Sequence, residues 1–371
     1  MLQSNRLHAM DALRAVMMLL GVVLHAAETY TLGEDLFWPK DASASNVFYN
    51  YLNSLIHLFR MPMFFLIAGF FGALLFYERG FKAMVSNRVS RIVFPFVVFL
   101  CLLHPLISWS ANRTAIALGT TLSPRLTDWS AYPVITYHLW FLYYLILITI
   151  CFVLVGITLK QMSKLTRHLK HSFEWLIQRR WLFIIIFTLI IFFLLVWMWD
   201  TWASTPLSFV PEIELFIFYS VFYGVGWLFY KSKHLLQNML AYDRLFLTLA
   251  FTIFTLKFIF RIEVGDVLFG ALNALIIWFV LFGLMGVFLR YANHHSPRMR
   301  YLSDGSYWIY LIHLPFTLLI PGLLADTGWS VHIKFLVVLF CTSVICSVSY
   351  HYVVRGTFIG AFLNGRKYPK P

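Results

Sequence analysis

The sequence predicts an all-α integral membrane protein: a bundle of about ten transmembrane helices with both termini in the cytoplasm. Three observations lead there. Of 371 residues, 60% are hydrophobic and 12% charged, against about 25% charged in an average soluble domain. The apolar residues gather into runs close to the roughly 20 that a helix needs to cross a bilayer. The loops between the runs alternate between basic and acidic. A mean hydropathy of +0.76 agrees. The aromatic content, 19%, excludes a disordered chain. The net charge of +13 is scattered between apolar runs, which argues against a nucleic-acid partner. Ten helices with short loops use nearly the whole chain. One transmembrane domain over residues 1–371, with no separate soluble domain, is therefore expected.

In chain order, the first span is expected at 11–30 and carries Asp11, Arg14, His25 and Glu28. The second, 50–77, carries Asn50, Asn53, His57 and Arg60. The third, 91–109, holds His104 and Pro105, and the fourth, 133–157, opens on Tyr137-His138-Leu139-Trp140-Phe141. The fifth to eighth, at 181–199, 212–230, 245–261 and 267–290, are nearly featureless apolar runs. The ninth, 307–324, contains Tyr310, His313 and Pro315, and the tenth covers 331–354. One set of loops is basic: Arg79, Lys82 and Arg88, then Lys160 to Arg180, then Lys231, Lys233 and Arg244, then Arg290, Arg298 and Arg300, and last Arg366, Lys367 and Lys370. The other set holds Glu28, Glu34, Asp35, Lys40 and Asp41, then Arg113, Arg125 and Asp128, then Asp200, Glu212 and Glu214. The positive-inside rule places the first set in the cytoplasm, where it also suits anionic lipid head groups. A cleaved signal peptide, from Arg6 to Ala26-Ala27, is the competing reading of the N-terminus. It leaves Arg14 and His25 without a purpose. Cys101, Cys151, Cys341 and Cys346 lie in apolar runs, without zinc-site spacing, and read as packing residues.

Ionisable groups at membrane depth are costly and usually functional. Arg14 and His25 are eleven residues apart, so they differ by only about 20° in azimuth and stand about 16 Å apart along the helix. Asp11 and Glu28 fall near the same line, and Glu28, one turn beyond His25, is placed to orient its imidazole. A helix–helix salt-bridge face is the structural alternative. Asn50, Asn53, His57 and Arg60 share a face of the second span, with His57 and Arg60 at a depth similar to His25. His138 fits either a site or an interfacial aromatic belt. His104 with Pro105 fits a kink with a satisfied histidine equally well. Arg88 and Arg91, at i and i+3, project together and suit phosphate oxygens, or merely flank a span. Tyr310 and His313 share a face near mid-membrane. No two histidines have close metal-ligand spacing, so no metal site is expected. A basic pair inside and histidines outside suit an anionic donor taken from the cytoplasm and acid–base chemistry at the outer face.

Five motifs in this order make the chain resemble the acyltransferase 3 superfamily of ten-span membrane acyltransferases: Asp11-Ala12-Leu13-Arg14 with His25; Phe59-Arg60-Met61-Pro62-Met63-Phe64-Phe65 with Ala68-Gly69-Phe70; Arg88-Val89-Ser90-Arg91; His138-Leu139-Trp140-Phe141-Leu142; and Ser306 to Pro315. Within it, Leu55-Ile56-His57-Leu58-Phe59-Arg60-Met61 resembles the glucans biosynthesis protein C branch, which succinylates osmoregulated periplasmic glucans. Leu314 departs from that branch, where a second His is expected. The resemblance implies a multi-pass bacterial inner-membrane O-acyltransferase with no bound cofactor. Its donor is an acyl-coenzyme A, succinyl-CoA or acetyl-CoA, and its acceptor a periplasmic glucan or other glycan. Glucan-synthesis proteins would be further partners. Arg88 and Arg91 would hold the donor's phosphates. The thioester arm would pass Arg14 towards an essential His25, acting as general base or as acyl carrier. Arg60 would be a candidate cation for a succinyl carboxylate. His57, His138, Tyr310 and His313 complete the expected substrate-binding set. Trp38, Trp129 and Trp202 are candidate sugar-stacking surfaces, although most of the 38 Phe and 13 Trp are expected to face lipid. The reading from another class is a transporter or flippase of an anionic or glycan-related solute. It lacks the paired halves common in transporters.

Overall fold

The computed structural model describes residues 8–127, 132–260, 266–364 and 368, and contains no strand among them. Arg6, Asp128, Trp129, Arg261, Arg366, Lys367 and Lys370 lie outside the described residues. Fourteen helices follow in order: α1 (His8–Glu28), α2 (Val47–Leu74), α3 (Phe81–Arg88), α4 (Phe94–Leu118), α5 (Pro124–Thr127), α6 (Trp140–Gln161), α7 (Ser163–Gln178), α8 (Arg180–Trp197), α9 (Ile213–Lys231), α10 (Asp243–Ile259), α11 (Asp266–Tyr291), α12 (Pro297–Leu323), α13 (Val331–Ser349) and α14 (Phe358–Asn364).

Among the described residues, nine segments are long and apolar enough to cross a membrane. A tenth crossing arises if Lys233–Leu240 and α10, bent by 64°, form one broken span. This is where ten expected spans become nine or ten. The seventh, α10, has 17 residues, the lower limit for a crossing. Large apolar side chains face outward along many spans, among them Leu102, Ile150, Phe193, Ile259 and Phe340. They have no protein partner to cover them, as a lipid-facing surface requires.

Two spans outrun the expectation. The third starts at Phe81, because a π-helical turn, Val89–Val93, joins α3 to α4 without a break. The ninth starts at Pro297, where the Ser296 side chain accepts from the Met299 N–H and proline takes the first helical position. Polar residues fill both extensions, so hydropathy reports the apolar stretch and not the helix. The basic loop after α6 also folds, into α7. It buries Phe173 and Ile177, one turn apart, and turns its Lys, Arg and His outward.

The centre of the bundle is α2 against α9, the most extensive helix pair. Gly69 and Gly226 make it possible. A methyl group on either would overlap a backbone carbonyl of the opposite helix, of Tyr223 or Leu66 respectively. Small residues that let helix backbones touch are the usual means of helix association in lipid. Helix α1 packs against α12, α2, α11 and α13, and α12 also packs on α4. The polar residues of α1, α2 and α12 thereby face one another.

Candidate active site

A cavity of about 360 Å³ lies at the acidic-loop end, between α1, α2, α12 and the turn Tyr137–Leu139. Its polar lining is His25 and Glu28 from α1, Asn53, His57 and Arg60 from α2, Tyr137 and His138 from the turn, and Tyr310 and His313 from α12. Two loops complete it, one with Asp35, Phe37 and Trp38, the other with Trp202, Ser204, Thr205 and Leu207. Seven of the ten residues singled out in the sequence for chemistry therefore meet here, Glu28 among them, all but Arg14 and the pair Arg88–Arg91. Trp38 and Trp202, singled out as stacking surfaces, join them.

His25 is partly exposed to the cavity. Its ring stacks nearly parallel on Trp38, with centroids 5.2 Å apart and planes at 13°. Trp38 is fixed in turn by its Nε1–H, which donates to Thr29 Oγ1 at 2.8 Å. The His313 ring lies 5.3 Å from His25, and the His138 ring 5.1 Å from His313. His25 Nδ1 is buried and has no hydrogen-bond partner among the described residues.

Glu28 does not orient this ring. Its carboxylate accepts from Lys40 Nζ at 2.6 Å and from the Asn53 amide, and Lys40 also donates to Thr31 Oγ1 at 2.7 Å. Helical spacing places Glu28 beside His25, but a lysine from the following loop reaches back and takes it. A charge-assisted bond is stronger than one to a neutral imidazole. Glu28 thus ties down the loop that carries Trp38.

Backbone carbonyls set the other histidine tautomers, because a carbonyl oxygen only accepts. His313 Nδ1 donates to Tyr310 O at 2.8 Å and to Ile309 O at 3.1 Å. Its Nε2 is buried without a partner, a lone pair in the neutral ring. His138 Nε2 donates to Leu311 O at 3.0 Å, which leaves Nδ1 in the same condition. The Tyr310 hydroxyl donates to His138 O at 2.8 Å and locks the turn against α12. His57 Nε2 donates to Ala203 O at 3.1 Å and its ring lies against Trp202. His57 therefore holds the roof of the cavity. His104, outside the cavity lining, pairs with Tyr137 Oη at 2.6 Å, the satisfied-histidine reading.

At the opposite end, Arg14 joins the expected arginine pair. It lies within electrostatic reach of both Arg88 and Arg91, bridges to Asp11 at 3.6 Å and sits over the Phe71 ring at 5.5 Å. Arg88 donates to Ala68 O at 3.3 Å. Three guanidiniums against one carboxylate leave donors for an anion, and planar forks suit phosphate. The helical rise from Arg14 to His25 puts this cluster about 16 Å from the cavity histidine. A small hollow at the same end, lined by His8, Asp11, His294, His295, Arg300 and Ser303, adjoins this cluster through Asp11 and Ser303, both partners of Arg14.

The acyltransferase 3 family model, described as an acyltransferase domain, matches residues 7–352. The chain belongs to that family. Relatives include glucans biosynthesis protein C of Escherichia coli K12, 26% identical over 340 residues that span 85% of this chain and 83% of that one. The protein of the same name from Shigella dysenteriae serotype 1 matches to the same extent. The one from Salmonella typhimurium LT2 is 29% identical over 148 residues, 39% of this chain and 37% of its own. No solved structure matches. The chain is accordingly a multi-pass membrane acyltransferase, with similarity to proteins named for glucan biosynthesis.

Sequence reasoning did not foresee the role of Lys40, the Trp38–His25 stack or the importance of Gly21. Gly21 lies one turn before His25 on α1, and a methyl group there would stand 2.5 Å from Arg60 Nη1. A glycine on the polar stripe of a membrane helix was the available signal.

Proposed function

We propose that this acyltransferase moves a short acyl group, succinyl in the first place and acetyl as the alternative, from acyl-coenzyme A to a hydroxyl of a periplasmic glucan. The donor enters from the cytoplasm and the acceptor from the periplasm of a bacterial inner membrane. The observation that carries the reading is His25, which lines a cavity at one end of α1 and has no hydrogen-bond partner at its buried Nδ1, while Arg14, Arg88 and Arg91 gather at the other. Phosphates at the arginines and a thioester at His25 would use both ends of the same helix. The basic loops beside the arginines support a cytoplasmic placement, and the names of the relatives support a glucan acceptor.

In the reaction so read, the acceptor oxygen attacks the thioester carbonyl. His25 takes the hydroxyl proton as the new C–O bond forms. The C–S bond then breaks, and the coenzyme A thiolate leaves and receives that proton. In the two-step variant, an imidazole nitrogen carries the acyl group between donor and acceptor. Trp38 would hold the ring in place in either case, and the loop of Trp202, Ser204 and Thr205 would meet the sugar. The test uses purified protein in lipid nanodiscs with succinyl-CoA or acetyl-CoA and a linear or cyclic glucan, and follows free thiol and acylated glucan together. Turnover that is abolished by His25→Ala, with the folded yield retained, is the expected result. Equal turnover by wild type and His25→Ala would overturn the reading. Solute movement without acylation would favour the transporter class.

A further inference from the structure

Arg60 is a buried cation with no counter-charge among the described residues. It lies on a membrane-spanning helix, is only 9% exposed, and lines the cavity beside His25. Among the described residues it makes no ion pair and no hydrogen bond, and its buried Nε has no partner. The groups that act on it electrostatically are the hydroxyls of Tyr219 and Tyr310, and it acts on His25, His138 and His313 in turn. Of the two carboxylates that line the cavity, Glu28 is bound to Lys40 at 2.6 Å and Asp35 lies 3.9 Å from the same lysine. A buried cation without a counter-charge is costly and persists where a ligand supplies the anion.

The position says which anion. The guanidinium rests against Gly21, the one place on α1 where a missing Cβ lets it approach the backbone. Gly21 is one turn, about 6 Å, from His25 on the side facing Arg14. A thioester that rises from the arginine cluster reaches Arg60 before its far end passes His25. At that height a donor anchored at the arginines would present its thioester carbonyl oxygen to the guanidinium, with the distal end of the acyl chain beyond it.

We propose that Arg60 is a catalytic residue that binds the oxyanion formed when the thioester carbonyl is attacked beside His25. This rests on the acyl-transfer reading given above. As the nucleophile adds, the C=O π pair moves onto oxygen, and the guanidinium N–H groups donate to that oxygen. When the C–S bond breaks, the pair returns to the carbonyl and Arg60 is free again. The same holds whether the nucleophile is the acceptor hydroxyl or an imidazole nitrogen, so the assignment does not depend on that choice. A donor fixed in a site closed to water is worth most where charge develops, and the loss of one such donor lowers kcat by about 10²–10³-fold.

This assignment differs from the expectation that Arg60 grips a succinyl carboxylate, and donor series separate the two. Arg60→Gln and Arg60→Lys are assayed in nanodiscs with succinyl-CoA, acetyl-CoA and butyryl-CoA. Arg60→Gln is expected to lower kcat about 10²–10³-fold for every donor, with KM changed less than about threefold, while Arg60→Lys recovers part of the loss for all three. A loss confined to succinyl-CoA, or carried in its KM, would overturn the assignment in favour of a carboxylate anchor. If Arg60→Gln does not fold, Gly21→Ala displaces the guanidinium while keeping the charge, and is expected to lower kcat for all donors alike; unchanged kcat in folded Gly21→Ala would overturn the assignment. A wild-type protein that turns over no acyl-CoA would instead refute the acyl-transfer reading itself.

Discussion

Lys334→Met probes how the outer loop is held over the site. Lys334 and Asp41 are each 3% exposed at their side chains and pair at 3.1 Å. The pair fastens the loop that carries Trp38 to the start of α13. Removing one partner of a buried pair costs about 3–5 kcal/mol, because the other charge stays buried. Asp41 keeps local donors here: Ser43 N at 3.1 Å, Ser43 Oγ at 2.6 Å and Ala44 N at 3.1 Å. Lys334 also gives up a bond to Ala325 O at 3.3 Å. The retained donors set the expected loss at the lower end, about 3 kcal/mol. Asp41→Ala, which removes the cap of the turn Ala42–Ala44 as well, is expected to lose more. Adding Asp41→Asn to Lys334→Met should restore part of the stability, since no bare charge remains. The assay is equilibrium unfolding in mixed micelles, read by tryptophan fluorescence. Stability of Lys334→Met within about 0.5 kcal/mol of wild type would refute the claim that this pair is buried and holds the loop.

Other expectations follow from the same geometry. Gly226→Ala should destabilise the α2–α9 pair by about 1–3 kcal/mol, because the added methyl meets the Leu66 carbonyl and not a flexible side chain; unfolding in mixed micelles reads it. Arg88→Ala should raise the KM for acyl-CoA about tenfold or more with kcat kept, the scale of one lost charged hydrogen bond. An unchanged KM would remove Arg88 from the donor site. Glu28→Gln should lower turnover far less than His25→Ala, because Glu28 serves Lys40 and the loop. Equal losses would mean that its carboxylate acts on the imidazole after all.

The positions of the spans were legible because apolar runs of membrane length have few other uses. The tenth, expected at 331–354, is found at Val331–Val354. The fifth and sixth are shifted by at most two residues. Helix ends were not legible where the helix leaves the membrane, as at Phe81 and Pro297, because polar residues are helical there without being apolar. The polar stripe of α1 was legible from the 3.6-residue period alone. The convergence of His138 and His313 on His25 was not, since contacts between distant segments have no periodic signature. Nor was the fate of Glu28, which depends on a lysine twelve residues later in a loop without regular pattern. That Arg60 has no partner is a property of every helix around it and of no local sequence.

The proposed function is acyl transfer to a periplasmic glucan at His25. Its most direct test is a mass spectrum of periplasmic oligosaccharides from cells lacking the gene, complemented with wild type or with His25→Ala at matched membrane levels. The expected result is succinyl-sized additions with wild type and none with His25→Ala. Glucans with the same mass distribution in both strains would contradict the claim.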